Sequence, residues 1–288
     1  MKRINISLAI ALAFAAFACN LEQEVDLDLP TYESQPVVEC YLEAGEPFSL
    51  LLSRSAAYFD PFPSLDDGDF IDQLLINDAE VTITHKGTIY ELENQLFINP
   101  FTNKIFNYSS DELVPEDMDN DFELNIRLSD GSTIQATTRM LPVVPIDSVV
   151  VELPEPEIRE ESDTLYRVLT YFSDISEERN YIRRMLHESS LDSIPEQDFV
   201  TDDRFVEDAV VFGSGYEYAV GDTVINTLFH IEQAYFEYLQ SVFIARDSNG
   251  NPFGQPSPII SNLTGTADAI GIFTFLSYDR VVTIIEEE

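Results

Sequence analysis

The chain has 288 residues, with 53 Asp and Glu against 15 Lys and Arg, a formal net charge of −38. So acidic a chain excludes nucleic-acid binding through phosphate contacts, which need clustered Lys and Arg, and an anionic membrane surface repels it. With 44% hydrophobic and 11% aromatic residues it is no disordered polyanion, and its length suits two domains better than one.

Residues 1–18 read as a secretory signal: Lys2 and Arg3 open it, Ile6 to Phe17 is apolar apart from Ser7, and Ala16-Phe17-Ala18 leads into Cys19. The stretch is too short and wrongly flanked to span a bilayer. A cysteine directly after the cleavage site resembles the bacterial lipoprotein arrangement, in which the thiol is diacylated and becomes the mature N-terminus. Ala16 stands where that arrangement usually has Leu. An ordinary signal peptide cut near Ala18 is the alternative, and the sharp change of composition after Cys19 favours acylation. Without Lys2 and Arg3 the mature chain carries 13 basic and 53 acidic residues, or −40. Membrane attachment would therefore come from the lipid on Cys19, whose acyl chains contribute about 0.8 kcal/mol per buried methylene.

Residues 19–33 form an acidic tether with Glu22, Glu24, Asp26, Asp28 and Pro30. Acidic residues just after a lipidated cysteine resemble the signal that sends Bacteroidota lipoproteins to the outer face of the outer membrane; the same stretch also suits a solvated linker. With Cys19 acylated only Cys40 remains, so no intramolecular disulfide is expected, and Cys40 sits in a strand-like run as a small buried hydrophobe.

From Gln35 the pattern is β. Val37 to Leu42 and Phe48 to Ser53 read as strands joined around Gly45 and Pro47. Ala79 to Thr84 meets Ile89 to Leu92 across Lys86-Gly87, a hairpin signal, and Phe122 to Leu128 meets Thr133 to Thr138 across Asp130-Gly131. About seven short strands without a helical period predict an immunoglobulin-like β-sandwich over 34–141. Pro142 and Pro145 mark the boundary to a second β domain over 142–288. There, Ser148 to Leu153, Thr164 to Phe172, Val206 to Val211, Asp222 to Ile231, Ala269 to Leu276 and Val281 to Ile285 read as strands, as does Tyr216 to Tyr218. Arg179 to Leu186 fits a strand or a helix. An amphipathic α-helix is expected near 232–246, with Tyr235, Tyr238, Leu239 and Val242 on one face.

Several motifs in the last third are weak singly and more specific in order. A strand from Asp222-Thr223-Val224 leads into Ala234-Tyr235-Phe236-Glu237-Tyr238-Leu239; Asn251-Pro252-Phe253, Asn262, Gly265 and Gly271-Ile272-Phe273 follow. Upstream stand Tyr171-Phe172-Ser173-Asp174 and Thr201-Asp202-Asp203-Arg204-Phe205. Nearly the whole mature chain resembles the Bacteroidota lipoprotein family called domain of unknown function 4249. The resemblance implies a setting like that of lipoproteins accompanying TonB-dependent outer-membrane receptors, and it brings no catalytic residues.

The residues themselves offer little catalysis. There is no Gly-x-Ser-x-Gly elbow, His85, His187 and His230 sit in unrelated contexts, and Gly213-Ser214-Gly215 reads as a turn. No zinc pattern occurs. Asp247-Ser248-Asn249-Gly250-Asn251 begins like a calcium loop, but Pro252 and Pro258 stand where Gly and a bidentate Glu belong. Asp66 to Asp69 and Asp117, Asp119 and Asp121 read as turn residues and solvated faces. No metal, cofactor or enzymatic activity is expected. Four Asp-hydroxyl-aliphatic triplets make Ser148, Thr164, Ser193 and Thr223 candidate O-glycosylation acceptors, by resemblance to the Bacteroidota acceptor sequence, or simply strand starts. The expected role is that of an outer-membrane lipoprotein facing outward, an accessory or ligand-capturing partner of a TonB-dependent uptake system. An adhesion or envelope-structural lipoprotein is the alternative. Tyr58, Phe59 and Phe62, in an aromatic, Pro-rich segment, are the candidate receptor contacts.

Overall fold

Alternation of apolar and polar residues sets the strands of the computed structural model, which describes residues 34–56, 73–100, 102–154, 165–173, 179–204, 209–248 and 257–287. Cys19, Tyr58, Phe59, Phe62, Thr164, Asp66 to Asp69 and the stretch 249–253 lie outside the described residues. Strands β1 (Pro36–Leu42) and β2 (Pro47–Arg54) pair antiparallel, and Val38, Cys40, Leu42, Phe48, Leu50 and Leu52 all point inward and are fully buried. The expected hairpin is present as β3 (Glu80–His85) and β4 (Thr88–Ile98), turning through Lys86 and Gly87, both at positive φ. The other expected pair is β6 (Phe122–Arg127) with β7 (Thr133–Thr138).

Between them runs a strand the sequence does not announce, β5 (Ile105–Leu113). Phe106, Asn107 and Tyr108 are all buried, so the period-2 signal vanishes. Asn107 is tolerated inside because its amide donates to the carbonyls of Leu52 (3.0 Å) and Ile76 (2.9 Å) and accepts from the Leu52 N–H (2.8 Å).

The rest of the chain forms β8 (Ser148–Glu152), β9 (Arg167–Ser173), β10 (Tyr181–Glu188), β11 (Gln197–Asp202), β12 (Ala209–Gly213), β13 (Thr223–Ile231), α1 (Gln233–Ser248), β14 (Thr264–Gly265), β15 (Ile270–Phe275) and β16 (Ser277–Ile284). The ambiguous 179–186 stretch is a strand with two occupied faces: Ile182 and Leu186 pack one way, Tyr181 and Met185 the other. Tyr216 to Tyr218 is no strand; Tyr218 makes an isolated bridge to Tyr166.

A nine-stranded sheet, ordered β14-β7-β6-β3-β4-β5-β2-β1-β15, curls over one apolar core that runs from Val38 and Leu50 to Phe122, Ile134 and Phe273. A four-stranded sheet, β11-β10-β13-β16, packs on a three-stranded one, β12-β9-β8. The protein is mostly β and sandwich-like, with one long helix among the described residues. Residues Ser34–Glu288 make a single unit. The segment beyond Pro142 supplies β14 and β15 to the sheet built by residues 34–141, and β15 runs parallel to β1. Both members of that pair are covered on two faces, as parallel strands usually are: Cys40 and Phe273 face the curled core, Ile272 faces the helix.

The last-third motifs gain physical roles here. Gly271 lies opposite Val38 at φ +131°, and a Cβ there would stand 1.9 Å from the Val38 carbonyl oxygen. Asn262 acts as a one-residue strand, donating to the Phe273 carbonyl (2.7 Å) and accepting from its N–H (3.1 Å), while Ser261 donates to the Gly271 carbonyl (2.8 Å). The outer edge of β15 is thereby covered, which removes a template for unwanted pairing.

Helix α1 fills the space between the outer face of β1 and β15 and the four-stranded sheet. Its buried face differs from the expected one. Tyr235 and Leu239 are buried, but Phe236 joins them while Tyr238 and Val242 are half-buried, because the Phe236 ring packs 4.8 Å from that of Tyr181.

Candidate functional site

The pleat of β1 sends Val38, Cys40 and Leu42 into the curled core and Glu39, Tyr41 and Glu43 out of it. Strand β16 faces them from the second sheet. Its residues Tyr278 and Arg280 share one face and stand directly opposite Phe229 and Thr227 of β13. Between the two sheets lies a cleft of about 550 Å³. Tyr41, Glu43, Tyr278 and Arg280 line one part of it. Glu46, Pro47 and Ser49 of the β2 region, Gln95 and Phe97 of β4, and Ser109, Ser110 and Asp111 of β5 line another. Loop residues Asn99, Pro100, Thr102 and Leu191 complete the lining, and Asn103 bonds to Asp192 (3.1 Å), tying those two loops together.

Behind Tyr41 is a polar, aromatic cluster. Arg183 grips Asp198 through Nε and Nη2 at 2.7 Å each, and its Nη1 donates to the Tyr235 hydroxyl at 2.6 Å. The Tyr235 ring meets Tyr41 edge-on at 5.9 Å, and Lys104 Nζ lies 4.6 Å from the Tyr41 ring centroid. Burial raises the Tyr41 phenol well above its usual range, so it stays protonated. Burial, and next the nearby Arg183 charge, lowers Lys104. Burial also raises Glu43, although the Tyr278 hydroxyl donating to it at 3.1 Å works the other way. The cleft is thus a concave, mixed surface of aromatic faces, hydroxyls and a few charges, the usual character of a small-ligand site.

A second buried cation lies deeper. Arg184 is fully buried between the four- and three-stranded sheets, where it donates to Gln197 (2.8 Å), Thr170 (3.1 Å) and Asn226 (3.3 Å). Burial lowers its pKa to about 10.

The residues singled out in the sequence are scattered. Asp117 sits against Lys86, which ion-pairs with it, and accepts from Asn120 and the Asp119 N–H, with His85 Nε2 3.2 Å away. These groups, Lys86 foremost, hold its carboxyl far below the ordinary range, so it is satisfied by its own chain. Among the described residues no cluster of three His, Cys, Asp or Glu side chains could hold a metal ion, and no helix is long and apolar enough to cross a membrane. Cys40 is buried and free, and burial pushes its thiol up. Ser148 and Thr223 are the first residues of β8 and β13, and Asp222 closes the turn before β13 by accepting from the Ala219 N–H (2.7 Å). Ser193 is different. It lies in a turn outside any strand, its hydroxyl donating to the Ser190 carbonyl (2.7 Å), and the following Ile194 is 88% exposed. Strand-start chemistry accounts for Ser148 and Thr223 but not for Ser193.

Sequence reasoning missed the cleft. Its walls come from Tyr41 and Glu43 at one end of the chain and Tyr278 and Arg280 at the other, and no local pattern links them.

Fold and site together define a mostly β protein with a ligand-sized cleft between two sheets. Residues 22–280 match the family described as "Domain of unknown function (DUF4249)", and the chain belongs to that family. No curated protein matches. Among solved structures, a DUF4785 family protein from Legionella pneumophila is similar over 67% of this chain, at 10% identity and a TM-score of 0.23. The match covers 52% of that protein, so this chain spans about half its length.

Proposed function

We propose that this protein is a Bacteroidota outer-membrane lipoprotein, anchored through Cys19 and facing outward, which captures a ligand for a TonB-dependent uptake system. The anchor rests on the basic start, the apolar run and the Cys19 placement. The capture role rests on one observation, the cleft of about 550 Å³ with its aromatic and hydroxyl lining. In this reading the protein binds and passes on its ligand without converting it. A receptor contact is supported by exposed apolar residues at the end of the β4–β5 ribbon, Leu96, Ile98 and Ile105, since such patches mark interaction surfaces. Tyr58, Phe59 and Phe62 would add to it. At least one of the four Asp-hydroxyl-aliphatic triplets would carry a glycan, Ser193 first, because its turn is exposed.

The test is fractionation followed by pull-down from detergent-solubilised outer membrane. Cys19→Ser should yield a folded soluble protein, since in this reading the lipid is the anchor and no helix among the described residues is long and apolar enough to cross a membrane. The wild type should co-purify a TonB-dependent receptor, and replacing Tyr58, Phe59 and Phe62 with Ser should weaken that. Membrane retention of Cys19→Ser after a salt wash refutes the anchor; a wild-type pull-down without a receptor refutes the uptake role.

A further inference from the structure

Among the described residues Arg280 is the one cation that lines the cleft, and the sheet holds it in a particular way. Antiparallel pairing sets Arg280 across from Thr227, and its Nε donates to the Thr227 hydroxyl at 3.0 Å. Tyr278, two residues earlier, lies on the same face of β16, and the guanidinium carbon stands 4.6 Å from its ring centroid. Nε is used and one flat face is covered. The two Nη groups make no hydrogen bond or ion pair among the described residues.

Several other arginines of this chain find carboxylates, although the buried Arg184 is held by neutral groups alone. Arg139, Arg167, Arg179, Arg183 and Arg204 each reach a carboxylate. With 53 acidic residues in the chain, an open guanidinium does not reflect a shortage of partners. Glu43 is near enough to feel the Arg280 charge, yet its carboxylate takes the Tyr278 hydroxyl. The neighbours therefore fix the plane of the guanidinium without consuming the edge that a carboxylate would use. A planar fork presented this way matches a carboxylate in two parallel hydrogen bonds.

We propose that the cleft binds a ligand bearing a single carboxylate, gripped by the two Nη groups of Arg280, with its uncharged part against Tyr41, Phe97 and the hydroxyls of Ser49 and Ser109. The inference rests on the ligand-capture reading and names its ligand class. Glu43, Glu46 and Asp111, also in the lining, disfavour polyanions, so a single negative charge placed at Arg280 is the most the cleft accommodates. Two sources share this chemistry: an acidic sugar unit and the C-terminus of a short peptide.

Titration calorimetry on the detergent-solubilised full chain separates them, with methyl glucuronide against methyl glucoside and trialanine against trialanine amide. One acid should bind at least tenfold more tightly than its neutral counterpart, and which acid it is identifies the source. Arg280→Gln should remove that tenfold advantage, and Arg280→Lys should keep part of it. The acid-to-neutral ratio of the wild type stands even if a variant fails to fold. Equal binding of acid and neutral compounds overturns the carboxylate assignment and leaves ligand capture intact. Absence of binding by all four probes also overturns it, whereas the receptor pull-down decides the uptake reading separately.

Discussion

Replacing Gly271 with Ala tests how the last third of the chain locks the nine-stranded sheet. Gly271 pairs with Val38 at φ +131°, and an added Cβ would lie 1.9 Å from the Val38 carbonyl oxygen and 2.8 Å from its nitrogen. Backbone cannot yield as a flexible side chain does, so β15 and β1 must separate by an ångström or more. Two flanking ladder bonds would be lost or stretched, at about 1 kcal/mol each. The backbone conformation itself adds about 1–3 kcal/mol of strain for a residue with a Cβ. The expected loss is about 3–5 kcal/mol, a large part of the 5–15 kcal/mol typical of a folded protein. Gly131 provides the control: it also has positive φ, +87°, but a Cβ there meets nothing within 4 Å. Gly131→Ala should therefore cost only the left-handed conformation, about 1–2 kcal/mol. Urea unfolding followed by circular dichroism, compared at equal slope, measures both. If the two substitutions cost the same, the close approach of β15 to β1 is not what makes glycine necessary.

Leu239→Ala should destabilise by about 2–5 kcal/mol, as a buried truncation does, and Tyr238→Ala by clearly less, because Tyr238 is only half-buried; thermal melts in the reverse order would mean the helix face is turned. Asp202 is held at a pKa of about 2, chiefly by Arg204 and then, against opposing burial, by Arg179. A depressed carboxylate stabilises above its unfolded pKa of about 4 and loses that contribution as pH falls through the folded value. The stability gap between wild type and Asp202→Asn should thus be full at pH 7 and shrink between about pH 4 and pH 2. A gap that ignores pH would show the ion pairs contribute nothing. Mass analysis of protein from its native host should find added mass on at least one Asp-hydroxyl-aliphatic peptide, with Ser193 the leading site; unmodified peptides throughout would leave strand starts and turns as the whole account.

Much of the fold was legible in residue order, since strands with one buried face write themselves as alternation. Val38-Cys40-Leu42, Phe48-Leu50-Leu52 and the Lys86-Gly87 turn each lie where the pattern places them. The helix was equally legible, because its period differs from that of the strands around it. β5 escaped because three adjacent residues, Phe106, Asn107 and Tyr108, are all buried, Asn107 through hydrogen bonds to partners more than 30 residues away. Strand type follows from local sterics and side-chain direction, which neighbouring residues fix. Partner choice does not. That β15 runs beside β1, with 232 residues between the partners Val38 and Gly271 and with Gly271 set against the Val38 backbone, is decided by long-range packing alone. The cleft belongs to the same class of fact. Composition settled that this chain is acidic and rich in core-forming residues. Only folding brings Tyr41 and Glu43 to Tyr278 and Arg280, because a concave surface forms between sheets whose strands come from opposite ends of the chain.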